Sequence, residues 1–420
     1  MNKREFLKSI TFSGLALSAT GRSLAARPGS AAPPETPPAA PGDIWAELRA
    51  AYTLDPSRIN LENGYYCVMP HATLEASFAH ARDLNLAGSH YLRTRQADDK
   101  AAVRRALAES AGCAPEELIV TRNTTESLDT VISGLDWRAG DEAVMAAQDY
   151  GSMLDMFRQQ ARRHGIVNRV VSLPLDPQSD DEIVSLYAEA ITPRTRLVLV
   201  SHLVNLTGQI LPVRRICDAA HARGVPVLVD GAHSFAHLDF RIPDLGCDYF
   251  GASLHKWLGA PLGTGLLYVR RDRIAGLWPL FGDTGYPDDD IRKLNHIGTN
   301  PVHAELTILD ALRLHAHLGP ARKEARLRFL QEYWTSRVRG RPGLTLNTPA
   351  QSARACAIAN VRVDRLPPGE LARILLERHR LWTVAIDAPD AGVRGVRVTP
   401  NLFTTTAELD ILVDALRILA

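Results

Sequence analysis

Three segments of this chain carry side chains that could do chemistry together. In Val225-Pro-Val-Leu-Val-Asp230-Gly-Ala-His233 an aliphatic run ends on a carboxylate, which places Asp230 at the carboxyl end of a buried strand. A carboxylate there is costly unless something pairs with it, and a protonated pyridine nitrogen is one partner that fits. By itself Asp230 also fits a turn or a helix cap, since Gly231 follows. The second segment is Ser253-Leu-His-Lys256-Trp, after the apolar Tyr249–Gly251 and before Gly259, Gly263, Thr264 and Gly265. A lysine between two core strands is desolvated. Desolvation lowers its pKa, and a neutral amine is the form that condenses with an aldehyde. The chain has six lysines (Lys3, Lys8, Lys100, Lys256, Lys293, Lys323), of which Lys256 alone falls between buried strands. In the third, Leu118-Ile-Val-Thr-Arg-Asn-Thr124-Thr125-Glu-Ser127, a strand runs into a helix start. Hydroxyls and free N–H groups at such a start bind anions, although Thr124 or Thr125 would serve equally as a plain N-cap.

The elements that must position these residues alternate. Strands are expected at Leu118–Thr121, Ala143–Ala146, Arg169–Leu173, Leu197–Ser201, Pro226–Asp230, Tyr249–Gly251 and Gly265–Val269. Helical patterns, among them Leu74–Leu86, Asp98–Gly112, Met153–His164 and Val213–Arg223, precede and separate them. This pattern predicts an α/β fold, a mostly parallel seven-stranded sheet covered by helices, with ligands beyond the carboxyl ends of the strands. Residues 70–306 form this large domain. Beyond Leu306 a long helical stretch reaches about Arg339. Strands near Ala355–Val363, Trp382–Ile386 and Val396–Thr399 and helices at Pro368–His379 and Ala407–Leu419 follow. They make residues 307–420 a smaller α+β domain, against which residues 43–69 are expected to pack.

Asn123-Thr-Thr-Glu-Ser127, Asp230-Gly-Ala-His233 and Ser253-Leu-His-Lys256 occur in this order, with Tyr150 between the first two. Taken together they resemble the class V aminotransferases of fold type I, which use pyridoxal 5'-phosphate (PLP). Ser201-His-Leu-Val-Asn-Leu-Thr-Gly-Gln-Ile-Leu-Pro-Val213, Leu254-His-Lys-Trp-Leu-Gly259 and Ile297-Gly-Thr-Asn-Pro301 are similar to the isopenicillin N epimerase-like branch. The resemblance covers roughly residues 45–420 and implies a role for each matching position. Lys256 is the Schiff-base lysine and proton shuttle, Asp230 pairs with the pyridine nitrogen, and His233 and Asn205 lie near the phenolic oxygen. Tyr150 stacks on the ring, and Thr124, Thr125, Ser253 and His255 bind the phosphate. Thr299 completes that site from a neighbouring subunit, which implies a homodimer with shared active sites. Arg397 clamps the substrate carboxylate, a task suited to a guanidinium fork. Asn63, Tyr65 and Tyr66 line the pocket, and the two tyrosines suggest a polar or bulky substrate. Leu254 departs from the small residue that many members place before the histidine.

The resemblance leaves several reactions open at an amino-acid Cα. Aminotransfer or epimerisation is the first expectation and carbon–sulfur β-lysis the alternative. A non-catalytic binding protein of the same fold is argued against by the intact lysine, aspartate and arginine. Desulfuration needs a nucleophilic cysteine on a mobile loop, whereas Cys356 reads as the start of a buried strand, where a thiol is inert. The five cysteines are widely spaced, with no CxxC pair and no metal-ligand spacing. A net charge of +1 excludes a broad basic field for nucleic acid. At the N-terminus Lys3 and Arg4 precede Phe6-Leu7-Lys8 and an apolar run from Ile10 to Ala19, with small residues around Ala25 and Ala26. Residues 1–27 are therefore expected to be an export signal to the periplasm, with a cytoplasmic location as the alternative. The segment resembles a twin-arginine signal in which Lys3 replaces the first arginine. The run is too short to span a bilayer. Six prolines make residues 28–42 an extended linker.

Overall fold

The computed structural model describes residues 44–420. The export signal expected over 1–27 and the linker over 28–42 lie outside the described residues. The large sheet consists of β1 (Leu118–Thr121), β2 (Glu142–Ala146), β3 (Val167–Val171), β4 (Thr195–Ser201), β5 (Val227–Asp230), β6 (Tyr249–Ser253) and β7 (Gly265–Val269). Its order is β1-β7-β6-β5-β4-β2-β3. Only β7 runs antiparallel to its neighbours, while β3, β2, β4, β5 and β6 are parallel. The mostly parallel α/β sheet is thus present. Strands β2, β5, β6 and β7 are buried at every position. Helices cover both faces, and each fully buried Leu or Val contributes about 1.5–3 kcal/mol.

Helices α1 (His71–Thr94), α2 (Gln96–Ala111), α3 (Thr124–Gly134), α4 (Gly151–His164), α5 (Asp180–Ala190) and α6 (Val213–His221) precede and alternate with these strands. One core joins Val103, Leu107, Val144, Val198, Val229, Ile216 and Phe250 on one side of the sheet. A second joins Leu128, Ile132, Met145, Phe157, Leu199 and Leu228 on the other. Among the described residues no helix is long and apolar enough to cross a membrane.

The stretch expected as one long helix after Leu306 is broken. It contains α7 (Ile308–Leu318) and α8 (Pro320–Val338), separated by Gly319 at φ 84°. Pro320 cannot continue α7 but is pre-shaped for the first turn of α8. The C-terminal part of the chain has a second, antiparallel sheet in the order β10-β11-β9-β8, from β8 (Leu344–Leu346), β9 (Ala359–Val363), β10 (Val384–Ala388) and β11 (Val393–Val398). Helices α9 (Pro368–His379) and α10 (Thr406–Leu419) share a core with this sheet, in which Trp334 of α8 is fully buried. Residues 59–61 join this C-terminal layer: Ile59 and Asn60 pair in parallel with Leu381 and Trp382, and Leu61 lies in the core formed with Trp334. The chain after Leu61 is thereby delivered to the carboxyl ends of the large sheet.

Candidate active site

Five connections leave the large sheet at one end, and each contributes to a single cavity of about 300 Å³. Its lining includes Gly64, Tyr65, Arg122, Asn123, Thr124, Thr125, Tyr150, Ser201, Asn205, Asp230, His233, Ser253, His255, Lys256 and Arg397. Segments far apart in the chain converge because parallel strands all expose the same end.

Lys256 sits at the floor. Burial lowers its pKa to about 8, against the opposing pull of the Asp230 charge. Its Nζ lies 3.3 Å from His233 Nε2. Burial, reinforced by the Lys256 charge, holds His233 well below the ordinary imidazole range, so it is neutral. Trp257 Nε1 donates to His233 Nδ1 at 3.3 Å, which leaves Nε2 for the lysine. Asp230 accepts from the Ala232 backbone N–H at 2.9 Å, and burial pushes its carboxyl up. A cation arriving at that carboxylate would reverse the shift. Because the neutral amine is the reactive form, capture of an aldehyde cofactor should accelerate about tenfold between pH 6 and 7 and level off above pH 8. The rate at which a violet absorption band appears on mixing with PLP measures this.

The anion end is built on α3. Its N-cap is Asn123, whose side chain accepts from Glu126 N at 2.9 Å; neither Thr124 nor Thr125 takes that role. Both threonines instead face the cavity. Thr124 donates its backbone N–H to Ser253 Oγ at 2.9 Å, and the two hydroxyls lie 2.7 Å apart. The buried His255 Nδ1 has no hydrogen-bond partner, and burial lowers that ring's pKa to about 4. A ring nitrogen without a partner, two hydroxyls and a helix N-terminus on the wall of one cavity form a cradle for phosphate oxygens. Tyr150, at the start of α4, flanks the same space and is 42% exposed. The residues present therefore fit PLP: an amine for its aldehyde, a carboxylate for its ring nitrogen, an aromatic beside its ring and a cradle for its phosphate.

The carboxylate end differs from the sequence reading. Arg397 on β11 does line the cavity, but Glu62, which the sequence reading missed, holds it. Arg397 Nη2 donates to Glu62 Oε1 at 2.7 Å and Nε to Oε2 at 3.4 Å, both side chains being under 10% exposed. Nη1 donates to the Asn205 carbonyl at 3.2 Å. One N–H on each terminal nitrogen stays free, an edge that suits a carboxylate end-on. Asn205 reaches its place on a tight turn that requires Gly208 (φ 76°), where a Cβ would lie 1.9 Å from the Ile358 carbonyl. Asn63, expected on the wall, is buried outside the cavity lining: its Nδ2 donates to the Thr399 carbonyl at 2.8 Å, so it anchors the segment. Tyr65 lies at the mouth, 76% exposed, whereas Tyr66 is half-buried off the cavity. Thr299 is exposed and outside the cavity of its own chain.

Gly64 stacks on this guanidinium. A Cβ there would lie 2.8 Å from Arg397 Nη2 and 2.9 Å from Cζ. Gly64→Ala must therefore displace the arginine, and KM for an amino-acid substrate should rise on the order of tenfold while the fold persists. Steady-state kinetics beside a thermal melt measure it.

Two more buried groups escaped the sequence reading. Lys323 on α8, its pKa lowered to about 8 by burial, donates its Nζ to the Trp257 carbonyl next to Lys256. Asp149, after β2, accepts from the Ser201 hydroxyl at 2.7 Å. Neither carries a sequence signal, since each partner is remote along the chain.

A family model described as Aminotransferase class-V matches residues 52–384. The isopenicillin N epimerase of Streptomyces clavuligerus is 32% identical over 392 residues, spanning 89% of this chain and 97% of that protein. A probable cysteine desulfurase of Pseudomonas aeruginosa is 32% identical over 275 residues, 63% of this chain and 67% of that protein. The solved structure of the cystine C–S lyase C-DES with its product cysteine persulfide superposes with TM-score 0.77 at 26% identity, covering 86% of this chain and 97% of that one. Another C-DES structure holds glycine covalently linked to its PLP cofactor. With the cradle, the lysine and the ring-nitrogen carboxylate in one cavity, the chain belongs to the class V aminotransferase family of PLP-dependent enzymes.

Proposed function

We propose that this chain removes the α-proton of an amino acid and returns a proton to the same carbon, as an epimerase-like member of its family. The observation that carries the reading is the Lys256 Nζ–His233 Nε2 contact of 3.3 Å, in a cavity that also presents Arg397. When bound, PLP supplies the aldehyde that captures the substrate amine and the electron sink that lets a Cα–H bond break. The chain does the rest. Arg397 binds the substrate carboxylate through its two free N–H bonds and so fixes which Cα bond faces the lysine. Lys256 Nζ, half-neutral near pH 8, takes the proton at Cα. Neutral His233, whose Nδ1 accepts from Trp257, carries its proton on Nε2 and donates it to the free amine, which orients Nζ; inversion is then completed by a proton delivered to the opposite face of Cα from solvent at the mouth. Asp230 holds the proton on the heterocyclic nitrogen. The side chain of the substrate leaves by the mouth past Tyr65 and Leu262, which suits an extended or bulky group. The likeness to isopenicillin N epimerase over 89% of this chain supports this reading.

Carbon–sulfur β-lysis is the second reading, favoured by the likeness to the cystine lyase. It uses the same proton abstraction and then loses a β-sulfur. Attack by a cysteine nucleophile has little support. Cys356 is fully buried and burial pushes its thiol up. Cys67 is buried, donates to the Asn63 carbonyl at 3.1 Å, and is raised to about 12. A thiol so placed offers no thiolate near neutral pH. Incubating the PLP-loaded protein in deuterated water with isopenicillin N, cystine and a panel of L-amino acids separates the readings. Deuterium at Cα with accumulation of the other stereoisomer and no keto acid is expected. Pyruvate, ammonia and a persulfide would establish the lyase, keto acid with transfer of the amino group a transaminase, and no exchange with any substrate a binding protein.

We also propose a homodimer with shared active sites, since Thr299 can reach a phosphate end only in the cavity of a second copy. Light scattering giving a monomer mass would overturn this. Export through the segment over 1–27 is proposed from its residue pattern, and an intact Met1 in the mature protein would refute cleavage.

A further inference from the structure

The large sheet brings a second carboxylate to the ring-nitrogen end of the cavity. Asp149 follows β2 and is buried, 3% exposed. Its Oδ1 accepts from the Ser201 hydroxyl at 2.7 Å and the Ser201 backbone N–H at 3.2 Å, and its Oδ2 from Ala146 N at 2.7 Å. Ser201 lines the cavity and stands opposite Asp230 in the β4–β5 register. The serine hydroxyl spends its proton on Asp149 and therefore turns its lone pairs away from it. This leaves two buried acids at the ends of β2 and β5, with Ser201 at the end of the intervening β4.

We propose that Asp149, acting through the Ser201 hydroxyl, is a positioning residue that supplies the negative potential keeping a proton on the cofactor beside Asp230. This rests on the assignment of PLP to the cavity. A single structural acid capping a turn needs only the Ala146 contact, yet this one is also tied to a residue of the cavity wall. The groups facing Asp149 are Asp230 from β5 and the buried Tyr187 hydroxyl from α5, which has no hydrogen-bond partner; Lys256 from the β6 connection faces Asp230. None of these is a cation in contact with Asp149, so its charge is felt by whatever binds at Asp230. Burial raises Asp149 to about 7, with Asp230 adding to that rise, so it is anionic through the alkaline range where Lys256 is neutral.

The test is a pH titration of the ring-nitrogen NMR resonance in protein that shows the violet band on loading with nitrogen-15-labelled PLP, parent against Asp149→Asn and Ser201→Ala. Asparagine removes the charge and keeps one accepting oxygen for Ser201, while its amide nitrogen gives up the contact from Ala146 N. The midpoint in Asp149→Asn is expected at lower pH than in the parent, by on the order of one unit. Ser201→Ala should move it in the same direction by less. A parent protein with no band on loading would refute the cofactor assignment itself. A banded parent whose midpoint Asp149→Asn leaves in place would overturn the inference alone. Movement in Asp149→Asn without movement in Ser201→Ala would overturn the route through the hydroxyl. Should Asp149→Asn fail to fold, Ser201→Ala decides: an unmoved midpoint rejects the proposal.

Discussion

Lys256→Ala should abolish turnover, with kcat reduced on the order of 10⁴-fold or more, while the protein still binds PLP without a covalent link. The size follows from two losses at one atom. The amine that attaches the cofactor and the base that moves the α-proton are the same Nζ. No neighbour can replace it, because His233, the group in contact with it, is held neutral by burial and is a poor base at its depressed pKa. The phosphate cradle of Thr124, Thr125, Ser253 and His255 is untouched by the substitution, so affinity falls but does not vanish. Visible absorption and steady-state kinetics measure the two parts separately. The violet band should be replaced by that of the free aldehyde.

Arg397→Ala should raise KM for an amino-acid substrate on the order of 100-fold and also destabilise the protein. The second effect comes from Glu62. With its guanidinium gone, a carboxylate 8% exposed is left without a cation, which costs about 3–5 kcal/mol. The double variant Arg397→Ala with Glu62→Gln should recover most of that stability and none of the KM. Arg397→Lys should keep the charge but lose the end-on fork, and so fall between parent and alanine in KM. Denaturant melts run beside kinetics distinguish packing from binding. Equal KM in the parent and Arg397→Ala would show that the substrate carboxylate lies elsewhere.

The chemistry at the centre was legible because it is local. Asp230 and Lys256 each end or follow a strand buried on both faces. Such strands read as unbroken aliphatic runs, so their ends are marked in the sequence. The edge strand β3 was read two residues late, at Arg169–Leu173 against the observed Val167–Val171, since one side of it meets solvent and its apolar residues do not form a run. The break at Gly319-Pro320 was missed because the helical periodicity resumes on its far side. What remained illegible is tertiary. Glu62 and Arg397 are separated by most of the chain, and nothing in Leu61-Glu-Asn-Gly64 says which of the two polar side chains turns inward. Asn63, expected in the pocket, binds Thr399 instead, while its neighbour Glu62 meets the arginine. Lys323 was passed over for a similar reason. It lies on a helix rich in charged residues, and only the packing of α8 against the Lys256 connection buries it.

That second buried lysine makes the most direct test of the account a discriminating one. Lys256 and Lys323 both have their pKa lowered to about 8 by burial. Either amine, if it reached the cofactor, could form the covalent link. Borohydride reduction of the PLP-loaded protein, followed by proteolysis and mass spectrometry, locates the attachment. The account predicts the added pyridoxyl mass on the peptide that carries Lys256 and none on the peptide that carries Lys323. The mass on Lys323, or on no lysine at all, would contradict it.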